Sequence, residues 1–325
     1  MLFFTDWEGP WVLTDFAYEV AIAFFNNHEF FERLSQYDDY LVLIERREDY
    51  EAGDTLRLLA PFIVALGISS NELKDLAEKV LAYTPDAEES MRYLLKRGIE
   101  PVVISTAYEQ FLDVSAKPLG INRIHATSFN PEQYSLPREE RDFILQAVEI
   151  IASLPEIEIP LDESSKSSIK WLNDFFWNRL ANMEAGRILS DVKAVGGQRK
   201  LDVVRSYDIL NPIVIGDSIS DHAMLSWAKE NGLAVSFNGN EFAVKNSNLA
   251  IVSETTFAEA YIVEAYLSGG LDGVKRAIKR EFESELIDRL KETRYYWIGK
   301  SNIDEVINKS KTMRRKLRGL AGALS

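Results

Sequence analysis

Short apolar runs that stop at polar residues alternate with longer stretches whose apolar side chains recur at helical spacing. Leu2–Thr5 is a four-residue run ending at Asp6, which predicts a buried parallel strand. From about 15 to 82 the apolar positions recur every three or four residues, as in FAYEVAIAFFNNHEFFERL and NELKDLAEKVLA. That spacing predicts helices; only YLVLI at 40–44 fits helix and strand equally well. At Thr84 the pattern changes. TPDAEESMRYLLKRG offers Thr84 as a cap, Pro85 at the first helical position, acids in the first turn and Gly98 at the end. A strand over 101–104 follows, ending in Ser105-Thr106, then a helix over about 107–117.

Two more helical stretches, ERDFILQAVEIIASL and SSIKWLNDFFWNRLANM, fall within about 128–195, separated by the loop-like PEIEIPLDESSKSS. Strand–helix alternation then resumes with the helical GGQRKLDVVRSY, a strand over 212–215, GDSISD, the helix HAMLSWAKENG, the strands LAVSF and LAIVS, and the helix TTFAEAYIVEAYL. Such alternation implies an α/β fold with a doubly wound parallel sheet. The tail after Gly270 reads as wholly helical. Its basic run KTMRRKLR at 311–318 is expected on a solvated face, with room for an oligomer contact or an acidic protein partner. The expected organisation is a core of 1–14 plus 84–270, elaborated over about 128–195, a helical cap over 15–83 and a C-terminal extension over 271–325.

Composition narrows the chemistry. The 325 residues contain no cysteine, which excludes disulfides, thiolate metal sites and cysteine nucleophiles. Three widely spaced histidines, His28, His125 and His222, make a multi-histidine metal site improbable. A net charge of −14 argues against a nucleic-acid binder. The start lacks a basic n-region, and no stretch has the length of a membrane span, so the expected location is the cytoplasm.

Four polar islands sit at strand ends or helix starts: Asp6-Trp7-Glu8, Ser105-Thr106, Lys200 in GGQRK, and Asp217 with Asp221 in GDSISD. Strand ends of a parallel sheet converge on one edge, so these groups can share a pocket. Together they suit phosphoryl transfer, which needs in-line positioning and neutralisation of phosphoryl oxygens. A carboxylate can attack phosphorus, and Mg²⁺ prefers a few hard oxygen ligands plus water. Singly each island has a plainer reading: a strand-to-turn junction, a helix cap, a surface lysine, an Asx-turn. GGQRK lacks the spacing of a P-loop.

In this order the islands resemble the motifs of the haloacid dehalogenase (HAD) superfamily, and most closely its phosphoserine phosphatase-like branch. FFTDWEGP looks like motif one, VVISTA motif two, GGQRK motif three and IGDSISDHAML motif four. The resemblance covers about residues 1–14, 84–127 and 196–268. It implies a HAD-like Rossmannoid core with a cap between motifs one and two, and a Mg²⁺-dependent phosphatase acting on a small phosphorylated metabolite. Asp6 would be the nucleophile and a metal ligand. Glu8 would be the general acid/base, ligating the metal through its carbonyl, in a place where the family's phosphatases carry aspartate. Ser105 and Thr106 would bind the phosphoryl group, Lys200 would neutralise it, and Asp217 and Asp221 would hold the metal. Trp11 stands where small residues are usual and is expected to narrow the entrance. Phosphotransfer to another acceptor is a close variant. The altered acid and basic tail motivate a different class, a HAD-like binding or assembly module, and the sequence is also similar to archaeal HAD-like accessory subunits of energy-converting hydrogenases.

Overall fold

The computed structural model describes residues 1–290 and 292–319. In chain order its strands and α-helices begin with β1 (Leu2–Thr5), α1 (Phe16–Val20), α2 (His28–Tyr40), α3 (Thr55–Leu66), α4 (Ser70–Val80), α5 (Ala87–Lys96), β2 (Glu100–Tyr108), α6 (Glu109–Ser115) and β3 (Arg123–Thr127). Then come α7 (Arg138–Ser153), α8 (Glu163–Asn173), α9 (Gly186–Asp191), α10 (Gly197–Ser206), β4 (Ile213–Gly216), α11 (His222–Asn231) and β5 (Leu233–Phe237). The chain continues through α12 (Glu241–Lys245), β6 (Leu249–Val252), α13 (Phe257–Ile278), β7 (Arg294–Trp297) and α14 (Ile303–Arg318).

One sheet, ordered β3-β2-β1-β4-β5-β6-β7, runs through the molecule. The first six strands are parallel and β7 is antiparallel to β6. The α/β Rossmannoid class expected from the sequence is therefore the class observed. The strand order reverses between β1 and β4, and the crevice outside the carboxyl ends at such a switch point is where open α/β sheets bind ligands. Phe3, Phe4, Val102, Val103, Ile213, Val214, Val235 and Ile251 are fully buried, as strands covered on both faces require.

Several local expectations need correction. The tail after Gly270 is not wholly helical, because Arg294–Trp297 extends the sheet edge as β7. Its RYYW pattern is short and half-exposed, so periodicity gives it little weight. The helix expected at Thr84 begins at Ala87, and Asp86 before it has φ +66°, so Thr84 and Pro85 belong to the turn. Ser105 and Thr106 lie within β2, which runs on to Tyr108. YLVLI continues α2 as a π-helical turn, Leu41–Glu45.

The helical stretches on either side of β2 and β3 pack on each other. α7 lies against α2 and α3, and their joint core is aromatic. The Phe62 ring of α3 is 4.9 Å from Phe30 of α2 and 5.9 Å from Phe175, in the π-helical turn after α8. The 128–195 segment thus packs against the helices inserted before β2 rather than only adding to the sheet's edge. No single described helix is long and apolar enough to cross a membrane.

Candidate active site

β1 delivers Asp6 to the switch point and β4 delivers Asp217, with Asp221 four residues further, at the start of α11. Ligand atoms of Asp6, Asp217 and Asp221 all lie within 4.8 Å of one another. The three carboxylates are buried, and part of their acceptor capacity is already engaged. Lys200 Nζ, from the first turn of α10, donates to Asp6 Oδ1 at 2.9 Å and to Asp221 Oδ1 at 2.7 Å. The Trp7 backbone N–H donates to Asp6 Oδ1 at 2.7 Å. Asp221 Oδ2 accepts the N–H groups of Asp217 and Ser218 at 2.9 and 3.0 Å, which folds the GDSISD turn around that carboxylate.

Close approach here depends on glycine. Gly9 has φ +100°, and a Cβ on it would lie 1.9 Å from Asp217 Oδ2. The chain after β1 can therefore pass over Asp217 only without a side chain. Gly196, in the GGQRK segment, approaches the carbonyl of Ala52 in the loop before α3, where a Cβ would lie 1.9 Å from that oxygen. The same loop is tied down by Arg199 Nη1 donating to Asp54 Oδ1 at 2.7 Å and by Gln198 N–H donating to Glu51 Oε2 at 3.0 Å. The helical insert is thus docked on the sheet edge directly beside Lys200.

A cavity of about 250 Å³ remains between them. Asp6, Glu8, Thr106 and Asp217 line it from the core; Asp15, Asp38 and Asp39 line it from the insert; Arg314 and Arg318 line it from α14. Ser105, Lys200 and Asp221 stand behind this wall. Ser105 is fully buried, and its Oγ accepts the Ala107 N–H at 3.1 Å. The carboxylate of Glu8 stays outside the aspartate triad, where Oε1 accepts the Phe16 N–H at the start of α1 at 2.7 Å. Trp11, expected to narrow the entrance, is instead fully buried; its indole donates to Thr5 Oγ1 at 2.9 Å and stacks on Trp7. His222 turns its ring to the Ile219 carbonyl and His125 to the Tyr207 hydroxyl, so neither joins the cavity wall.

Burial sets the electrostatics. It raises the Asp6 carboxyl well above the usual range, helped by the Asp221 charge and opposed by Lys200. Burial also raises Asp217, against the pull of Arg314 and Arg318. Burial works against the Lys200 ammonium, yet Asp221 and Asp6 hold its proton above the ordinary lysine value. Glu8 is pushed up to about 8, by burial first and the Asp15 charge second, which favours its protonated form.

The sequence reading missed Arg314 and Arg318. Arg314 is buried, and its Nη1 donates both to the Asp217 carbonyl, at 3.2 Å, and to Asp217 Oδ2. Arg318 Nη1 lies 3.4 Å from the same oxygen, and its Nε donates to the Leu13 carbonyl at 3.2 Å. The expected solvated face of KTMRRKLR is thus partly an inner face. A signal was present: Val306, Ile307, Ser310 and Arg314, the buried residues of α14, recur at helical spacing, which places one arginine on the apolar stripe.

No family model matches the chain, and no curated protein does. Among solved structures, gene product AF1437 from Archaeoglobus fulgidus is 39% identical, with a TM-score of 0.88, over 99% of this chain and 97% of that one. The chain belongs to the family of that archaeal protein. A phosphoserine phosphatase in apo form is 14% identical with a TM-score of 0.45, over 77% of this chain and 92% of that one. A substrate-bound phosphoserine phosphatase is 13% identical with a TM-score of 0.46, over 77% and 91%.

Proposed function

We propose that this family member is a HAD-type phosphohydrolase that cleaves a small phosphomonoester through an aspartyl-phosphate at Asp6. The observation that carries the reading is the convergence of Asp6, Lys200, Asp217 and Asp221 at the β1/β4 switch point, beside a small cavity.

The residues fit Mg²⁺. Asp6 Oδ2 and Asp217 Oδ1 accept no hydrogen bond among the described residues, and two hard carboxylate oxygens plus waters and a substrate oxygen are a usual Mg²⁺ donor set. Asp6 and Asp217 would hold the ion, with the Glu8 carbonyl as a further oxygen; Asp221, engaged with Lys200 and two N–H groups, would orient the turn that carries Asp217. When bound, the ion would lower the charge repulsion between the carboxylates and the phosphoryl oxygens.

The chain's own residues supply the rest. One carboxylate oxygen of Asp6 forms a bond to phosphorus as the ester P–O bond breaks, and Glu8 gives its proton to the leaving oxygen. The ionised Glu8 then takes a proton from water as the water oxygen bonds to phosphorus, and the Asp6–phosphoryl bond breaks. Lys200 offsets the growing charge and fixes Asp6 Oδ1. Ser105 and the Thr106 backbone are assigned to the phosphoryl oxygens.

Phosphate release from a panel of small phosphomonoesters, with Mg²⁺ and with EDTA, tests this. Metal-dependent release that Asp6→Asn abolishes is expected. A folded, Mg²⁺-binding protein that releases none would remove hydrolysis and favour transfer to another acceptor or a binding role.

A further inference from the structure

We infer that the C-terminal helix α14 is a tethered antagonist of cation binding at Asp217: Arg314 and Arg318 hold Oδ2 of the carboxylate whose Oδ1 a divalent cation would take, so each binds at the expense of the other. This rests on the proposed reading of Asp217 as a cation ligand.

The geometry is specific. Arg314 and Arg318 lie one turn apart on α14 and both reach Asp217 Oδ2. Arg314 also takes the Asp217 carbonyl, so it grips one residue through side chain and backbone together. Asp217 belongs to the one aspartate triad among the described residues whose ligand atoms can converge on a cation. Two cations on one carboxylate repel each other, most strongly in a buried site where water screens little. The coupling is therefore negative and, by linkage, reciprocal: the arginines weaken the ion, and the ion loosens the arginines.

The attachment of α14 suits such an exchange. Its apolar contact with the body is a small cluster, Val306 and Ile307 with Val244 and Ala250. Toward the arginine end, beyond the arginines' own bonds to Asp217, Asp15 and the Leu13 carbonyl, the links are a half-exposed ion pair, Lys311 with Glu241, and an exposed one, Lys316 with Glu254. Exposed pairs hold weakly, and elements with few buried apolar contacts open below the global unfolding energy. The end that grips Asp217 can therefore let go without disturbing the sheet.

Mn²⁺ binding to the full chain, titrated by electron paramagnetic resonance, is compared among wild type, Arg314→Gln, Arg318→Gln and Asp217→Asn. Hydrogen exchange across 311–319 is followed in the wild type with and without Mn²⁺, so one readout needs no substitution. The expected results are about tenfold tighter Mn²⁺ binding in Arg314→Gln, its loss in Asp217→Asn, and faster exchange in 311–319 when Mn²⁺ binds. Binding that Asp217→Asn abolishes but Arg314→Gln leaves unchanged, with exchange also unchanged, overturns the competition and leaves the proposed reaction standing. Absence of any Asp217-dependent binding in every variant overturns both.

Discussion

Asp6 and Glu8 sit two residues apart, and the opposite tasks proposed for them rest on different surroundings. Asp6 faces an ammonium at 2.9 Å, whereas Glu8 faces the N–H of Phe16 and the Asp15 charge. Glu8→Gln keeps the hydrogen bond from Phe16 but has no acidic proton to give, so turnover should fall by about 10²–10⁴-fold with little change in unfolding temperature. Steady-state kinetics beside a thermal melt check this. A second carboxylate offers a stability test. Glu259 is fully buried in the first turn of α13, and neither oxygen has a hydrogen-bond partner among the described residues. Burial, then the Asp217 charge, raises its pKa well above the ordinary value. The folded protein therefore keeps this proton where the unfolded chain loses it. The stability contribution is full below the unfolded value of about 4.3 and is lost as pH rises toward the raised folded one. Glu259→Leu should flatten that decline and add about 1–3 kcal/mol at neutral pH, measured by urea unfolding from pH 4 upward. An unchanged pH slope would contradict the assignment. The candidate residues were legible in the sequence because each lies beside an apolar strand or opens a helix, where a lone polar group stands out. Arg314 and Arg318 were harder to read, because a basic run looks the same on a solvated face as on one turned inward, and only the helical recurrence of Val306, Ile307, Ser310 and Arg314 marks the inner one.

Elements show the same division. β1, β2 and β4 to β6 announce themselves as apolar runs between helices, and their order along the chain fixes which ends meet. β7 is four residues long with a half-exposed RYYW pattern, and only its pairing with β6 makes it a strand. The packing of α7 against α2 and α3 was equally hidden, since helical periodicity tells which face is apolar but not what covers it. The Phe62 ring couples these helices. Phe62→Ala should cost about 3–5 kcal/mol, and if the two stretches form one body, fluorescence and far-UV circular dichroism should shift together in urea. Separate transitions would show that they unfold independently. The glycines of GGQRK carry a comparable lesson: the sequence drew attention to Lys200, while the structure gives Gly196 and Gly197 a role in letting the loop at 51–54 dock.

At the scale of the molecule, the docked insert and α14 line a cavity of about 250 Å³ over Asp6, a volume at or below the low end of ordinary ligand sites. A small phosphomonoester is expected to be turned over, whereas a phosphopeptide of ten residues should release phosphate at least about 10²-fold more slowly, because the insert cannot close over it. Parallel phosphate-release assays decide this, and equal rates would mean that the insert does not limit access. The proposed reaction turns on the covalent step at Asp6. Its most direct test is to quench the protein with substrate and Mg²⁺, reduce it with borohydride and map residue 6 by peptide mass spectrometry. An acyl-phosphate is reduced where a free carboxylate is not, so homoserine at position 6, formed only when substrate is present, is the predicted result. An intact aspartate at that position, in a sample that is releasing phosphate, would contradict it.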